Sequence, residues 1–388
     1  MGGRRLHGAL GALFTLFAFT RCLGDPLTLV DPTPVTDASI EHEPSDTPGA
    51  SDADADSESD GSASDASDGH DSDADAVDSG CGKDCLGGDC IAGKCQPLLL
   101  APNLVDNTLP TGIAVDPAPS GGVFFTTYLG AQVRRAEKDG SGVTVITSFP
   151  WMHSSLDVAF DNHRLYVTTY NASGPSPVYS MNDDGSDKAE LGNTWFYGPW
   201  LVSFDSNYVY WANRWDSAYI TRAPKAGGSS EIVYQPNPSD AGTAQPGGWA
   251  VRVDGTSLFW SVEHHVAKRQ ANNTVTEIAP ETAYDIAFDS SYVYWAAPNM
   301  IRRRAKDGSG GIEDLVSGPQ IGRILLDGGY IYWTDNGNPG GVWRKKLVAG
   351  SAKELLVGGL KAPHGIAADA RAIYFAEQQA GQVWKLAK

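Results

Sequence analysis

The stretch Leu326-Asp-Gly-Gly-Tyr-Ile-Tyr-Trp-Thr-Asp335 constrains this chain more than any other, because the same pattern returns six more times between Ile113 and the C-terminus. Each copy reads as an inner apolar triplet ending in Asp, a short turn, an aromatic or β-branched strand, a loop, a polar strand, a Gly-rich turn and a last short strand. The anchoring residues are Asp116, Asp161, Asp205, Asp254, Asp289, Asp327 and Asp369, spaced by 45, 44, 49, 35, 38 and 42 residues. That period suits four-stranded propeller blades, close to the roughly 40–45 residues of a WD40 unit. The expected architecture is an all-β propeller with seven blades by repeat count.

The last copy, residues 366–388, stops after three strands. At the other end of the domain, Gln96-Pro-Leu-Leu-Leu-Ala-Pro102 followed by Leu109-Pro-Thr-Gly-Ile-Ala-Val-Asp116 is similar to Lys353-Glu-Leu-Leu-Val357 followed by Ala362-Pro-His-Gly-Ile-Ala-Ala-Asp369. An N-terminal strand is therefore expected to complete the last blade and hide sheet edges open to intermolecular pairing. Segments such as Tyr208-Val-Tyr-Trp211 and Tyr292-Val-Tyr-Trp295 are rich in strand formers and bounded by turn formers. Lys138-Asp-Gly-Ser141, Asp184-Gly-Ser186 and Lys306-Asp-Gly-Ser309 supply the left-handed backbone of tight hairpins.

Tyr332-Trp-Thr-Asp335, with Tyr210-Trp-Ala212, Tyr294-Trp-Ala296 and the Pro-x-Gly-Ile-Ala-x-Asp starts, resembles the YWTD β-propeller of low-density-lipoprotein receptors and its bacterial relatives over residues 97–388. Only one copy carries the whole tetrapeptide, and the receptor domain has six blades, which makes six the alternative count.

The chain begins with Arg4 and Arg5, an apolar run over residues 9–20, and Arg21-Cys22. The run is shorter than the roughly 20 residues that span a bilayer, and its basic front fits an export signal. Cys22 stands where a lipoprotein signal places its lipidated cysteine, although Arg21 occupies a position that family fills with a small residue. Residues 1–22 are thus expected to be a signal peptide of lipoprotein type, with the protein exported and held at the outer membrane, in the periplasm or on the cell surface.

Residues 25–80 contain 17 acidic residues and no Lys, Arg or aromatic residue, so almost all of the net charge of −18 belongs to this region. Residues 23–80 read as a disordered, self-repelling spacer. The acidic run 52–61 lacks the Gly and the closing Glu of an EF-hand loop. Cys81, Cys85, Cys90 and Cys95 follow. An even cluster in an exported chain reads as two disulfides, in one of three pairings, with a zinc site the lesser alternative, and residues 81–96 form a small collar before the propeller at 97–388. Cys22 is the cysteine left over.

Function is expected on the loops of one propeller face. Phe149-Pro-Trp-Met-His153, Thr194-Trp-Phe-Tyr-Gly-Pro-Trp200, Gln245-Pro-Gly-Gly-Trp249 and Asn213-Arg-Trp-Asp216 gather aromatic residues there. Trp151, His153, Trp195, Tyr197, Trp215 and Trp249 are the candidate ligand-binding set, able to stack on sugar rings or on apolar groups of a partner. Trp200 and Trp249, directly before inner strands, also suit a plug between blades. Adjacent His264 and His265 point apart in an extended loop, and a residue recurring in every blade, such as the anchoring Asp, suits turn closure better than chemistry. No partnered nucleophile, phosphate cradle or metal constellation stands out. No catalytic residue, cofactor or metal is assigned. The alternative is a lyase or lactonase using His153, His264 and His364. Arg252 is an oddity near the axis. The basic run Ile301-Arg-Arg-Arg304 reads as an edge strand with solvated side chains, and nucleic acid is not an expected partner. The partner expected is a glycan or protein at the cell envelope, the membrane is met by the lipid anchor only, and the chain is expected to be a monomer.

Overall fold

The computed structural model describes residues 80–102, 104, 109–150, 153–171, 174–192, 198–214, 219–235, 247–262, 264–318, 320–337 and 339–388. The expected signal peptide with Cys22 and, apart from residue 80, the expected acidic spacer lie outside these residues. So do Trp151, Trp195, Tyr197 and Trp215.

Seven four-stranded antiparallel sheets form seven blades. Their inner strands are Pro110–Val115, His153–Asp161, Pro199–Phe204, Gly248–Asp254, Ile286–Phe288, Ile321–Asp327 and Pro363–Ala368, in blades 1 to 7. Six sheets are continuous in sequence, whereas the outer strand of blade 7 is Leu98–Ala101, paired antiparallel with Gln382–Ala387. The expected closure by an N-terminal strand is therefore observed, and the blade count is seven. Leu100 and Ala101 are completely enclosed at that junction.

The paired aromatics of the repeat make the seams between blades. Successive residues of a strand face opposite sides of the sheet, so the first aromatic of each second strand packs toward one neighbouring blade and the next residue toward the other. Tyr166 meets Trp211, Tyr210 meets Trp260, Tyr294 meets Trp333 and Tyr332 meets Phe375, each in one buried cluster. The clusters of Phe259 with Trp295 and Phe125 with Tyr374 complete the pattern on either side. Between blades 1 and 2 the second partner is only Val167, and Phe160 stacks on Phe124 at 5.4 Å in compensation.

The repeated Asp residues close turns. Asp205 Oδ1 accepts from the amides of Asn207 and Tyr208, and Asp289 Oδ1 from Ser291 and Tyr292. Their second oxygens accept from Tyr210 and Tyr294 at 2.7 and 2.6 Å. At four seams a lysine from the following blade also binds this Asp: Lys138 with Asp369, Lys225 with Asp161, Lys306 with Asp254 and Lys388 with Asp327.

The collar carries two disulfides, Cys81–Cys90 and Cys85–Cys95. It rests on the closing blade, with Lys83 Nζ donating to Lys388 O at 2.7 Å and Arg371 paired with Asp84 at 2.6 Å. The segment Ile301-Arg304 corrects an expectation. It belongs to the third strand of blade 5, Met300–Ala305, covered by the outer strand Glu313–Ser317. Arg302 and Arg303 pair there with Asp314 and Glu313, while Arg304 donates to the carbonyls of Ile278 and Gly310, so the run is an engaged third strand and not a free basic edge.

Candidate functional site

Six of the seven inner strands carry a β-bulge at one place, four to six residues before the anchoring Asp. A bulge re-aims side chains and frees backbone groups, which is why bulges recur beside binding sites. Here the freed groups are taken up by a hydroxyl of the second strand. Gly112 N, Asp157 N and Arg323 N donate to Thr126, Thr168 and Thr334 at 2.9, 3.1 and 3.0 Å. The same three hydroxyls donate onward to the carbonyls of Leu156, Trp200 and His364 in the next blade. The Thr of the YWTD tetrapeptide is thus a clasp between neighbouring inner strands.

The residue five before each anchoring Asp is Thr111, Leu156, Trp200, Trp249, Tyr284, Gly322 or His364. Blades 3, 4 and 5 therefore present three large aromatics in succession. Trp200 meets Trp249 edge-on at 6.4 Å, and Trp249 meets Tyr284 edge-on at 4.9 Å. The Arg214 guanidinium lies 4.7 Å from the Trp200 ring and 3.9 Å from the Trp249 ring, a cation held between two indoles. All three aromatics are half-buried, while Arg214 is 5% exposed.

One residue further along, the inner strands place Asp157, Asp285 and Arg323 around a cavity of about 360 Å3 to which all seven blades contribute. Arg252 reaches Asp285 at 2.8 Å, so the oddity near the axis faces a carboxylate. Asp285 also accepts from the amides of Ile286 and Ile324. Burial pushes the Asp157 carboxyl up, opposed by the charges of Arg323 and Arg252. Burial, aided by Arg323, pushes His364 down to about 3, so its imidazole is neutral. Its Nδ1 faces the Thr111 carbonyl at 3.3 Å.

Of the candidate binding set, only His153 and Trp249 fall among the described residues. Trp249 belongs to the aromatic row. His153 opens the inner strand of blade 2, facing Asn171 at 3.3 Å, with its Nδ1 enclosed and without a hydrogen-bond partner. Among the described residues, the histidines of the enzymatic alternative each face a different partner: His153 faces Asn171, His264 faces Thr282 and His364 faces the Thr111 carbonyl. Sequence reasoning passed over Tyr284 and Arg214 and treated Trp200 as filler. Counting five back from each Asp would have aligned Trp200, Trp249 and Tyr284. Nothing local marks Arg214, whose partners sit on two blades.

No family model matches the chain, and no curated protein does either. Solved structures are similar in fold. Virginiamycin B lyase from Staphylococcus aureus superposes with a TM-score of 0.61 at 17% identity, covering 76% of this chain and 98% of its own. YCF48 from Cyanidioschyzon merolae gives 0.57 at 12% identity, with 75% and 98% covered. The extracellular domain of a hybrid two-component system from B. thetaiotaomicron gives 0.57 at 10%, with 75% of this chain and 39% of that chain covered. At these identities the likeness is one of architecture.

Proposed function

We propose that this protein is an exported, lipid-anchored propeller of the YWTD type that binds a glycan or protein partner at the cell envelope without performing chemistry on it. The observation that carries this reading is the row of Trp200, Trp249 and Tyr284 on consecutive blades, stiffened by the Arg214 guanidinium between the two indoles. Rigid, half-buried aromatic surfaces with polar tips stack on sugar rings and on apolar side chains at small entropic cost. The flanking loops add Trp195, Tyr197 and Trp215 from the sequence. Residues 23–80 would act as the spacer and 81–96 as its collar. A second reading, a lyase or lactonase, draws on buried Asp157 and neutral His364 beside the axial cavity. It is the weaker, because Asp285 is already neutralised by Arg252 and the histidines share no hydrogen bond.

The test is binding of the mature protein to arrayed bacterial polysaccharides and peptidoglycan fragments, beside Trp249→Ala and Trp215→Ala. Saturable binding weakened about tenfold or more in both variants, with circular dichroism unchanged, is the expected result. Binding indifferent to both substitutions, or no binding to any sugar, would move the search to protein partners.

A further inference from the structure

The seam between blades 1 and 2 breaks the rule that governs four others. In blades 3, 5 and 7 the residue after the third strand donates its backbone amide to the first turn of its own blade: Lys225 to Asn207, Lys306 to Ser291 and Lys388 to Arg371. Each of these lysines then reaches the anchoring Asp of the preceding blade. Asp183 makes the same backbone hydrogen bond, to His163, and so occupies the lysine position of blade 2. Where those four seams set an ammonium against a carboxylate, this one sets Asp183 against Asp116.

Asp116 is correspondingly short of partners. It is 9% exposed, and its Oδ1 accepts from the amide of Ala118. In blades 3, 5 and 7 a tyrosine hydroxyl binds the second oxygen, but blade 1 has Phe124 at that strand position. Of Asp116, Lys138 touches only the backbone carbonyl, its ion pair being with Asp369. Among the described residues, no hydrogen bond or salt bridge reaches the second carboxylate oxygen of Asp116. Into this gap comes His163, whose Nδ1 lies 2.7 Å from Asp183 Oδ2. Ligand atoms of Asp116, His163 and Asp183 all fall within 4.8 Å of one another.

We propose that this seam holds a divalent metal ion of zinc type, ligated by Asp116, His163 and Asp183, which does for blades 1 and 2 what a lysine does elsewhere. Two carboxylates and one imidazole form a mixed oxygen and nitrogen donor set, and the imidazole favours zinc over calcium or magnesium. Two facing carboxylates attract a doubly charged ion and repel each other without one. The His163 side chain is 74% exposed, which leaves an entry path and room for water to complete the coordination. Binding would replace the His163–Asp183 hydrogen bond by two metal bonds and leave the imidazole neutral with its proton on Nε2, so that an imidazolium gives up one proton to solvent and a neutral ring only changes tautomer. The site joins two blades and lies apart from the aromatic row, so the inference stands independently of the proposed function.

The experiment uses the mature, oxidised protein, freed of tag and stripped with a chelator. Zinc chloride is titrated by calorimetry and thermal unfolding is followed with and without the metal, for the natural sequence, His163→Ala and Asp183→Lys. One zinc per chain and a higher melting temperature with zinc are expected for the natural protein. His163→Ala should weaken binding at least tenfold. Asp183→Lys should abolish binding and melt, without zinc, at or above the natural protein, because it restores the cation of the other seams. The proposal is overturned if zinc does not bind stoichiometrically, if Asp183→Lys leaves binding intact, or if the seam responds to pH alone and protonated His163 is its cation.

Discussion

The hydroxyl of Thr334 in blade 6 donates to the carbonyl of His364 in blade 7 at 2.8 Å while accepting from the amide of Arg323 at 3.0 Å. A single buried side chain thereby satisfies two backbone groups freed by bulges in two blades. Thr334→Val keeps the shape and removes both bonds. The expected cost is about 1–3 kcal/mol for each buried group left unsatisfied, read as a lower urea midpoint with an unchanged m-value. An unchanged midpoint would show that water replaces the hydroxyl.

Trp333 is 1% exposed, lies in one buried cluster with Tyr294, and stacks on Trp343 at 6.3 Å. Trp333→Ala should destabilise the ring by about 3–5 kcal/mol, the range for large aromatic truncations in a packed core. Val167 holds the corresponding position in blade 2, and Val167→Ala should cost much less. Thermal unfolding of both variants checks the ranking.

His364 makes stability depend on pH through an identifiable mechanism. Burial and the Arg323 charge hold its folded pKa at about 3, below the ordinary 6.5. The unfolded chain therefore takes up a proton at a pH where the folded one does not, and stability falls as pH drops from about 6.5 toward 3. His364→Gln should flatten that limb of the profile. The measurement is unfolding free energy against pH, and parallel curves for the two proteins would contradict the assignment.

Lys138 and Asp369 pair at 2.7 Å across the junction between the first and last blades. Burial opposes ionisation of Asp369, but hydrogen bonds from Lys138, the Arg371 and Ala372 amides and Tyr374 outweigh it and hold the carboxyl at about 2. The stabilisation is complete above the usual carboxylate value near 3.8 and is lost as pH falls through about 2. Lys138→Met should lower stability by about 3 kcal/mol at neutral pH, since it leaves a largely buried carboxylate unpaired. The gap between variant and natural protein should close near pH 2, as equilibrium unfolding would show.

The ring was legible because its determinants are local and repeated. The seven Asp residues, the aromatic dipeptides and the similarity of Gln96-Pro102 to Lys353-Val357 pointed to seven blades and to the closing strand, with six left open by the resemblance until the seven sheets were seen. The disulfide pairing was not legible, since spacings of four or five residues allow every connectivity. Arg214, Arg323 and His364 were obscure for a related reason. Each takes its meaning from side chains on other blades, and no window of sequence contains those neighbours. The strand at Ile301 was misread because solvent on one face of a third strand and solvent at a sheet edge leave the same polar pattern. His163 and Asp183 become conspicuous only when each blade is compared with its neighbours in three dimensions.

Leu99 pairs with Trp384, so the first strand of the propeller finds its partner only after the other six blades have been made. A polypeptide made from its N-terminus carries Leu98–Ala101 unmated while six finished sheets wait for the seventh. Closure of the circle is thus a checkpoint on the integrity of the whole ring, because a product lacking the strand Gln382–Ala387 has nothing on which Leu98–Ala101 can dock. Such a product carries one distinguishing feature, an unclaimed seam.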